Sequence, residues 1–156
     1  LIISKIAIKK IKLSKVFWIV TKKNPFKNEA FYSLSQRVAK AKKLVKNSKN
    51  IQVLNLEKNI DSSRSINTIN YFINKKKQKN IYFIIGSDNL TKFHKWKSWK
   101  KIVRLVKLIV FSRRGYDRKG KKSIVAKYLK NKIIFINNKP IIISSKKLRK
   151  KITKNN

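Results

Sequence analysis

Cysteine and methionine are absent from this 156-residue sequence, which also holds only three glycines, two prolines and five acidic residues. Without cysteine there can be neither a disulfide framework nor a thiolate metal site. No apolar run approaches the roughly 18 to 20 residues that a membrane span requires. The opening stretch "LIISKIAIKKIK" interleaves lysine with apolar residues. It lacks the continuous apolar segment and small-residue cleavage site of a signal peptide, so a cytoplasmic protein is expected. Because the chain opens on Leu1, it reads as processed or as part of a longer reading frame.

The scarcity of acids leaves a formal net charge of +38, from 43 lysines and arginines. Such a charge fits a nucleic-acid or anionic-surface binder. Lysine, however, is spread through every segment, and isoleucine and asparagine are abundant too. A strongly AT-rich genome produces that mixture, so compositional drift outweighs a dedicated nucleic-acid footprint. Small anionic substrates fit either origin. With 42% hydrophobic residues, the chain has enough apolar material for one packed domain spanning residues 1–156.

Periodicity divides the chain into alternating elements. Ile2, Ile3, Ile6, Ala7 and Ile11 form a helical stripe, and "KVFWIV" (residues 15–20) reads as a buried strand. A loop around Pro25 leads to a serine-capped helix carrying Leu34, Val38, Ala41, Leu44 and Val45. Then come a strand "IQVLNL", a helix with Ile66, Ile69, Phe72 and Ile73 on one face, and a strand "IYFII". The remainder gives a short helix "SWKKIVRLV", a strand "KLIVF", a helix "SIVAKYLKN", a strand "KIIFI" and a last helix "SSKKLRKKI". Five strands alternating with helices predict an α/β fold with a doubly wound parallel sheet.

Ligands of such sheets bind beyond the carboxyl ends of the strands. "FIIGSDNLTKFHKW" (residues 83–96) places a rare glycine and a rare acid at the end of an apolar run that reads as a central strand. Gly86 permits close backbone approach to a ligand. Asp88 can accept hydrogen bonds from sugar hydroxyls, and Trp96 offers a flat face to a ring. His94, the sole histidine, reads as a surface or packing residue.

The wider pattern carries a resemblance. "WIVTKKNPFK", "SLSQRVAKAKKL", "SINTI", "FIIGSDNLTKFHKWKSWKKIV", "VFSRRGYD" and "IIISSKKLR" together resemble the bacterial nicotinate-nucleotide adenylyltransferases, in order and at that family's spacing. The resemblance implies a Rossmann-like nucleotidylyltransferase fold. It implies a reaction that joins ATP, with Mg²⁺, to nicotinate mononucleotide, giving deamido-NAD and pyrophosphate. Gly86 and Asp88 would then serve the adenosine moiety, and Trp96 would stack on the nicotinate ring. Ser65 stands where the family has threonine and would help hold the nicotinate carboxylate, although Arg64 replaces its usual tyrosine. Lys27 would approach a phosphate. Ser144, Ser145 and Arg149 match the family's phosphate-binding helix start, with Lys146 in place of a threonine. Arg113 would be a further phosphate ligand, in a motif where Arg114 replaces proline.

The family's G-G-[ST]-F-[DN]-P-x-H-x-G-H element, which supplies its catalytic groups, does not occur in these residues. "LIISKIA" resembles the family's residues just after that element. The expectation is therefore a chain lacking the first strand and the catalytic histidines, and inactive by itself. Two other readings stay open: a basic RNA- or ribosome-associated protein, and a related nucleotidylyltransferase with another acceptor.

Overall fold

The computed structural model describes residues 1–22, 32–56, 59–60, 62 and 64–138. All five expected strands are present, and every strand pairing is parallel. Contacts divide the chain into two compact units, Leu1–Lys79 and Asn80–Asn156.

In the first unit, β1 (Val16–Ile19) pairs with β2 (Ile51–Leu54) in the register Val16↔Ile51 to Ile19↔Leu54. Val16, Ile51 and Val53 are buried. Helix α1 (Ile2–Ile11) buries Ser4 and Ala7. The indole Nε1 of Trp18 donates to the Ser4 hydroxyl at 2.8 Å, so the buried serine is satisfied. The isoleucine stripe expected to face the core is only partly used, since Ile2 is 60% exposed. Helix α2 (Leu34–Val45) starts with a capping box in which Ser33 and Gln36 satisfy each other's backbone N–H groups. Of its apolar residues only Val45 is fully buried, and Leu44 is 63% exposed. Helix α3 (Ser65–Asn74) buries Ile66, Ile69 and Phe72, with the Phe72 ring 4.9 Å from that of Phe17.

The second unit holds β3 (Tyr82–Gly86), β4 (Lys107–Phe111) and β5 (Ile133–Ile136) in the order β3-β4-β5. The apolar run "IYFII" reads as a central strand. Among the described residues it pairs with β4 alone, and β4 holds the middle. The reason is visible in burial. Leu108, Ile109, Val110 and Phe111 are almost fully enclosed, as a strand covered on both faces must be. Helix α5 (Trp99–Leu105) and helix α7 (Ile124–Leu129) match the expected helices, and Ser123 caps α7 by accepting from the Ala126 amide.

Two helices are additional to those expected. Helix α4 (Ser87–Lys92) begins on the residue after β3 and runs into a 3-10 turn, Phe93–Lys95, where periodicity assigns no element. Helix α6 (Asp117–Lys121) succeeds the turn after β4. In that turn Gly115 adopts φ +81°, the left-handed conformation that glycine accepts without strain. The last helix expected from sequence, residues 144–152, lies outside the described residues. Among the described residues no helix is long and apolar enough to cross a membrane.

Candidate functional site

The carboxyl ends of β3 and β4 lie side by side, Gly86 opposite Phe111. Each strand delivers a charged side chain just beyond its end. Asp88 sits in the first turn of α4, where a negative charge favours the helix dipole. Arg113 lies two residues past β4. Its Nε is 3.9 Å from Asp88 Oδ1, and the two side chains are 40% (Arg113) and 42% (Asp88) exposed.

This pair is loosely held. A half-exposed ion pair of that length contributes only about 0–1 kcal/mol. Asp88 Oδ1 and Arg113 Nε are both buried, and neither makes a hydrogen bond. An acceptor and a donor thus stand close together with bonding capacity to spare, on side chains that reach solvent.

Gly86 is what lets them stand there. A Cβ built on Gly86 would overlap Asp88 Oδ1, and it would come within 3.1 Å of Arg113 Cγ and 3.2 Å of Arg113 Nε. The rare glycine and rare acid of "GSDN" therefore fall together for a steric reason, because the acid occupies the space a side chain would have taken. The sequence suggests a ligand approaching Gly86; here the groups against it are Asp88 and Arg113.

A second acid, Asp117, completes the arrangement, and no sequence motif points to it as a site residue. Its carboxylate accepts from the Ser87 hydroxyl at 2.6 Å, from the Arg113 amide at 3.0 Å and from the Ser112 hydroxyl. The Arg113 amide also donates to Ser87 Oγ at 3.0 Å. Burial pushes the Asp117 carboxyl up. The bonds from Ser112, Ser87 and the Arg113 amide, with the charge of Lys121, outweigh that and hold it below its ordinary value. One signal is available in the sequence: only five acids occur in the chain, and the two that are described, Asp88 and Asp117, lie here.

A depressed carboxyl pKa has a fixed sign in stability. The contribution of Asp117 is complete above the ordinary aspartate value of about 3.9 and is lost as pH falls through the lower folded value. Thermal midpoints followed from about pH 6 down to 2 should therefore fall more steeply for the native chain than for Asp117→Asn. Parallel acid limbs would show that the network does not hold the carboxylate charged.

The other expected site residues are more scattered. Trp96 is half-buried, stacked on Phe93 at 4.7 Å and 25°, and edge-on to Phe83 at 6.2 Å. Ser65 is the first residue of α3, half-buried, in the first unit. Lys27, Ser144, Ser145 and Arg149 lie outside the described residues. His94 belongs to the 3-10 turn, half-buried, with its Nδ1 enclosed and making no hydrogen bond. Among the described residues no group of three or more histidine, cysteine, aspartate or glutamate side chains could hold a metal ion.

The sequence pattern of the cytidylyltransferase-like family matches residues 1–151. The probable nicotinate-nucleotide adenylyltransferase of Pelagibacter ubique is 44% identical over 149 residues, which cover 95% of this chain and 82% of that protein. The chain belongs to the nicotinate-nucleotide adenylyltransferase family. A family member from Bradyrhizobium, likewise described as a probable nicotinate-nucleotide adenylyltransferase, is 34% identical over 112 residues, 71% of this chain and 58% of that protein. The chain thus spans most of one relative and little more than half of another. The family's fold is shared with the nicotinic acid mononucleotide adenylyltransferase of Plasmodium falciparum, solved in complex with NaAD. That structure superposes with a TM-score of 0.70 at 18% identity, covering 94% of this chain and 75% of the other.

Proposed function

We propose that this chain is the nucleotide-binding body of an enzyme that transfers the adenylyl group of ATP to nicotinate mononucleotide, in the synthesis of NAD. The observation that carries the proposal is the Asp88–Arg113 pair seated over Gly86 at the ends of two parallel strands. A carboxylate with a spare acceptor atom suits the ribose hydroxyls of ATP. A guanidinium beside it suits the phosphates. Family membership supplies the reaction. The phosphate oxygen of nicotinate mononucleotide attacks the α-phosphorus of ATP, a new P–O bond forms, the α–β bridge breaks, and pyrophosphate leaves. Such chemistry asks the protein for positioning and charge stabilisation rather than a covalent intermediate.

ATP enters as its Mg²⁺ complex, in which substrate phosphates and water supply most of the metal's ligands. Ser144, Ser145 and Arg149 serve the triphosphate, and Ser65 and Lys27 the nicotinate nucleotide, in the roles that the family motifs give them. Residues 1–156 form a single nucleotidylyltransferase domain in this reading. Its support is the family pattern, which runs through both units from residue 1 to 151. The enzyme works in the cytoplasm.

Trp96 gives the test of the acceptor side. One face of its indole lies on Phe93, which holds the ring in a set plane. A ligand ring stacked on an aromatic platform is worth roughly 1–3 kcal/mol, about tenfold or more in affinity. Trp96→Leu keeps apolar contact with Phe93 but removes the platform. Titrations should show nicotinate mononucleotide bound about tenfold more weakly, with ATP affinity little changed. Equal losses for the two ligands, or no loss, would remove Trp96 from the acceptor site.

A further inference from the structure

Asp117 has no part in the roles described so far, yet it is the most heavily bonded side chain at the site. Its three donors come from two segments, Ser87 being 30 residues away while Ser112 and Arg113 lie just before it in the chain. Ser87 stands between Gly86 and Asp88 and is 1% exposed, so its hydroxyl has no water to turn to. Ser112 and Arg113 come directly after β4, and Asp117 itself opens α6. One carboxylate therefore ties the start of α4 to the segment that carries Arg113.

The packing around this tie leaves it little freedom. Gly120 of α6 faces Ser87, and a Cβ there would come 3.2 Å from the Ser87 carbonyl oxygen and 3.3 Å from Ser87 Cβ. A side chain at Gly120 would thus crowd Ser87 and press α6 away from α4 by a few tenths of an ångström. The Arg113 amide is shared between Ser87 Oγ and Asp117 Oδ1, both at 3.0 Å. A strand-end amide is a ready anion donor, but this one is already engaged. Arg113 can therefore meet a phosphate only through its guanidinium, and where that guanidinium lies depends on where the backbone is pinned.

We propose that Asp117 is a positioning residue for the nucleotide. By fixing the Ser87 and Arg113 backbones it sets the separation of Asp88 and Arg113, and so governs affinity for the sugar–phosphate part of ATP. This rests on the reading that Asp88 and Arg113 receive ATP. Asp117 touches no ligand itself. Its negative charge is taken up by two hydroxyls and an amide, and does not repel the phosphates as a bare carboxylate would.

The test is calorimetric titration of the 156-residue protein with ATP and, separately, with nicotinate mononucleotide, at a temperature well below the melting point of each variant. Asp117→Ala removes the tie, and Asp117→Asn keeps its shape but not its charge. ATP should bind about tenfold more weakly to Asp117→Ala. The loss for Asp117→Asn should be smaller, and nicotinate mononucleotide affinity should stay within about twofold in both. If Asp117→Ala does not fold, the Asp117→Asn comparison decides, because Asn keeps the side-chain shape but puts an NH2 donor in place of one of the two oxygens that accept from Ser112 and from Ser87 and Arg113, and so disturbs the tie. Native ATP affinity in the variants would overturn the proposal, as would equal losses for both ligands, which would mark a purely structural role. If the native chain itself bound no ATP, the failure would lie with the nucleotide site.

Discussion

A polypeptide of these 156 residues will form deamido-NAD at a rate at least about 100- to 1000-fold below that of the same chain preceded by a strand and G-G-S-F-D-P-x-H-x-G-H. The figure is what removal of a single preorganised charge-stabilising donor typically costs, and here two histidines and a glycine turn are at stake. The chain's one histidine, His94, sits in the 3-10 turn with Nδ1 enclosed. Asp88 and Asp117 are carboxylates, whose negative charge cannot offset that of the reacting phosphates, and Asp117 is already bonded to Ser87, Ser112 and the Arg113 amide. Arg113 and Arg149 can bind and orient the triphosphate, but positioning at the reacting phosphorus is the part that the two histidines and the glycine turn of the family element supply. Pyrophosphate release should be monitored for the 156-residue chain, for the extended chain, and for the extended chain with both added histidines changed to alanine. Turnover should appear in the second alone. Robust turnover by the first would place the catalytic groups within these residues, and His94→Ala would then be the variant to measure.

Asp88→Ala carries the second large effect. The side chain is an acceptor with an unfilled bond, and a hydrogen bond to a charged group is worth about 1.5–3 kcal/mol. Loss of the carboxylate should therefore weaken ATP binding by about one to two orders of magnitude. The fold should survive, because the half-exposed pair with Arg113 contributes little to stability. Melting points within a few degrees of native, together with a large loss of ATP affinity, are the expected signature. Gly86→Val should reach a similar end by another route, since its side chain would claim the space of the Asp88 carboxylate and press on Arg113. A large fall in melting point with unchanged affinity would make Asp88 and Gly86 structural.

The strands are legible because each is a short apolar run opened by lysine or asparagine, a pattern that lysine-rich surroundings sharpen. "KLIVF" is β4 without a change of bounds. Strand order is not legible. An apolar run shows that a strand is buried but not which neighbours it has; among the described residues β3 pairs with β4 alone, and β4 holds the middle of the three-stranded sheet. The helices α4 and α6 escape for a different reason. "SDNLTK" and "DRKGK" carry no apolar stripe. They are helical because Ser87 and Asp117 find partners across the sheet end, at separations of up to 30 residues. The same gap separates the two acids. Asp88 can be found from its place at a strand end beside a rare glycine. Asp117 acts through serines from two other segments, and only the fold brings them together. The stripe of α2 shows the opposite error: Leu44 obeys the period but faces solvent.

A site for an adenylyl group joined to a nicotinate nucleotide should hold the product itself, because deamido-NAD carries both halves and its binding needs no catalysis. The measurement is equilibrium titration of the 156-residue protein with deamido-NAD, alongside Asp88→Ala and, as a competitor, a short single-stranded RNA. Deamido-NAD should bind saturably and one-to-one, at least about tenfold more weakly to Asp88→Ala, and should not be displaced by RNA at moderate salt. Binding of RNA with a steep salt dependence, and of deamido-NAD either not at all or indifferently to Asp88, would contradict that assignment.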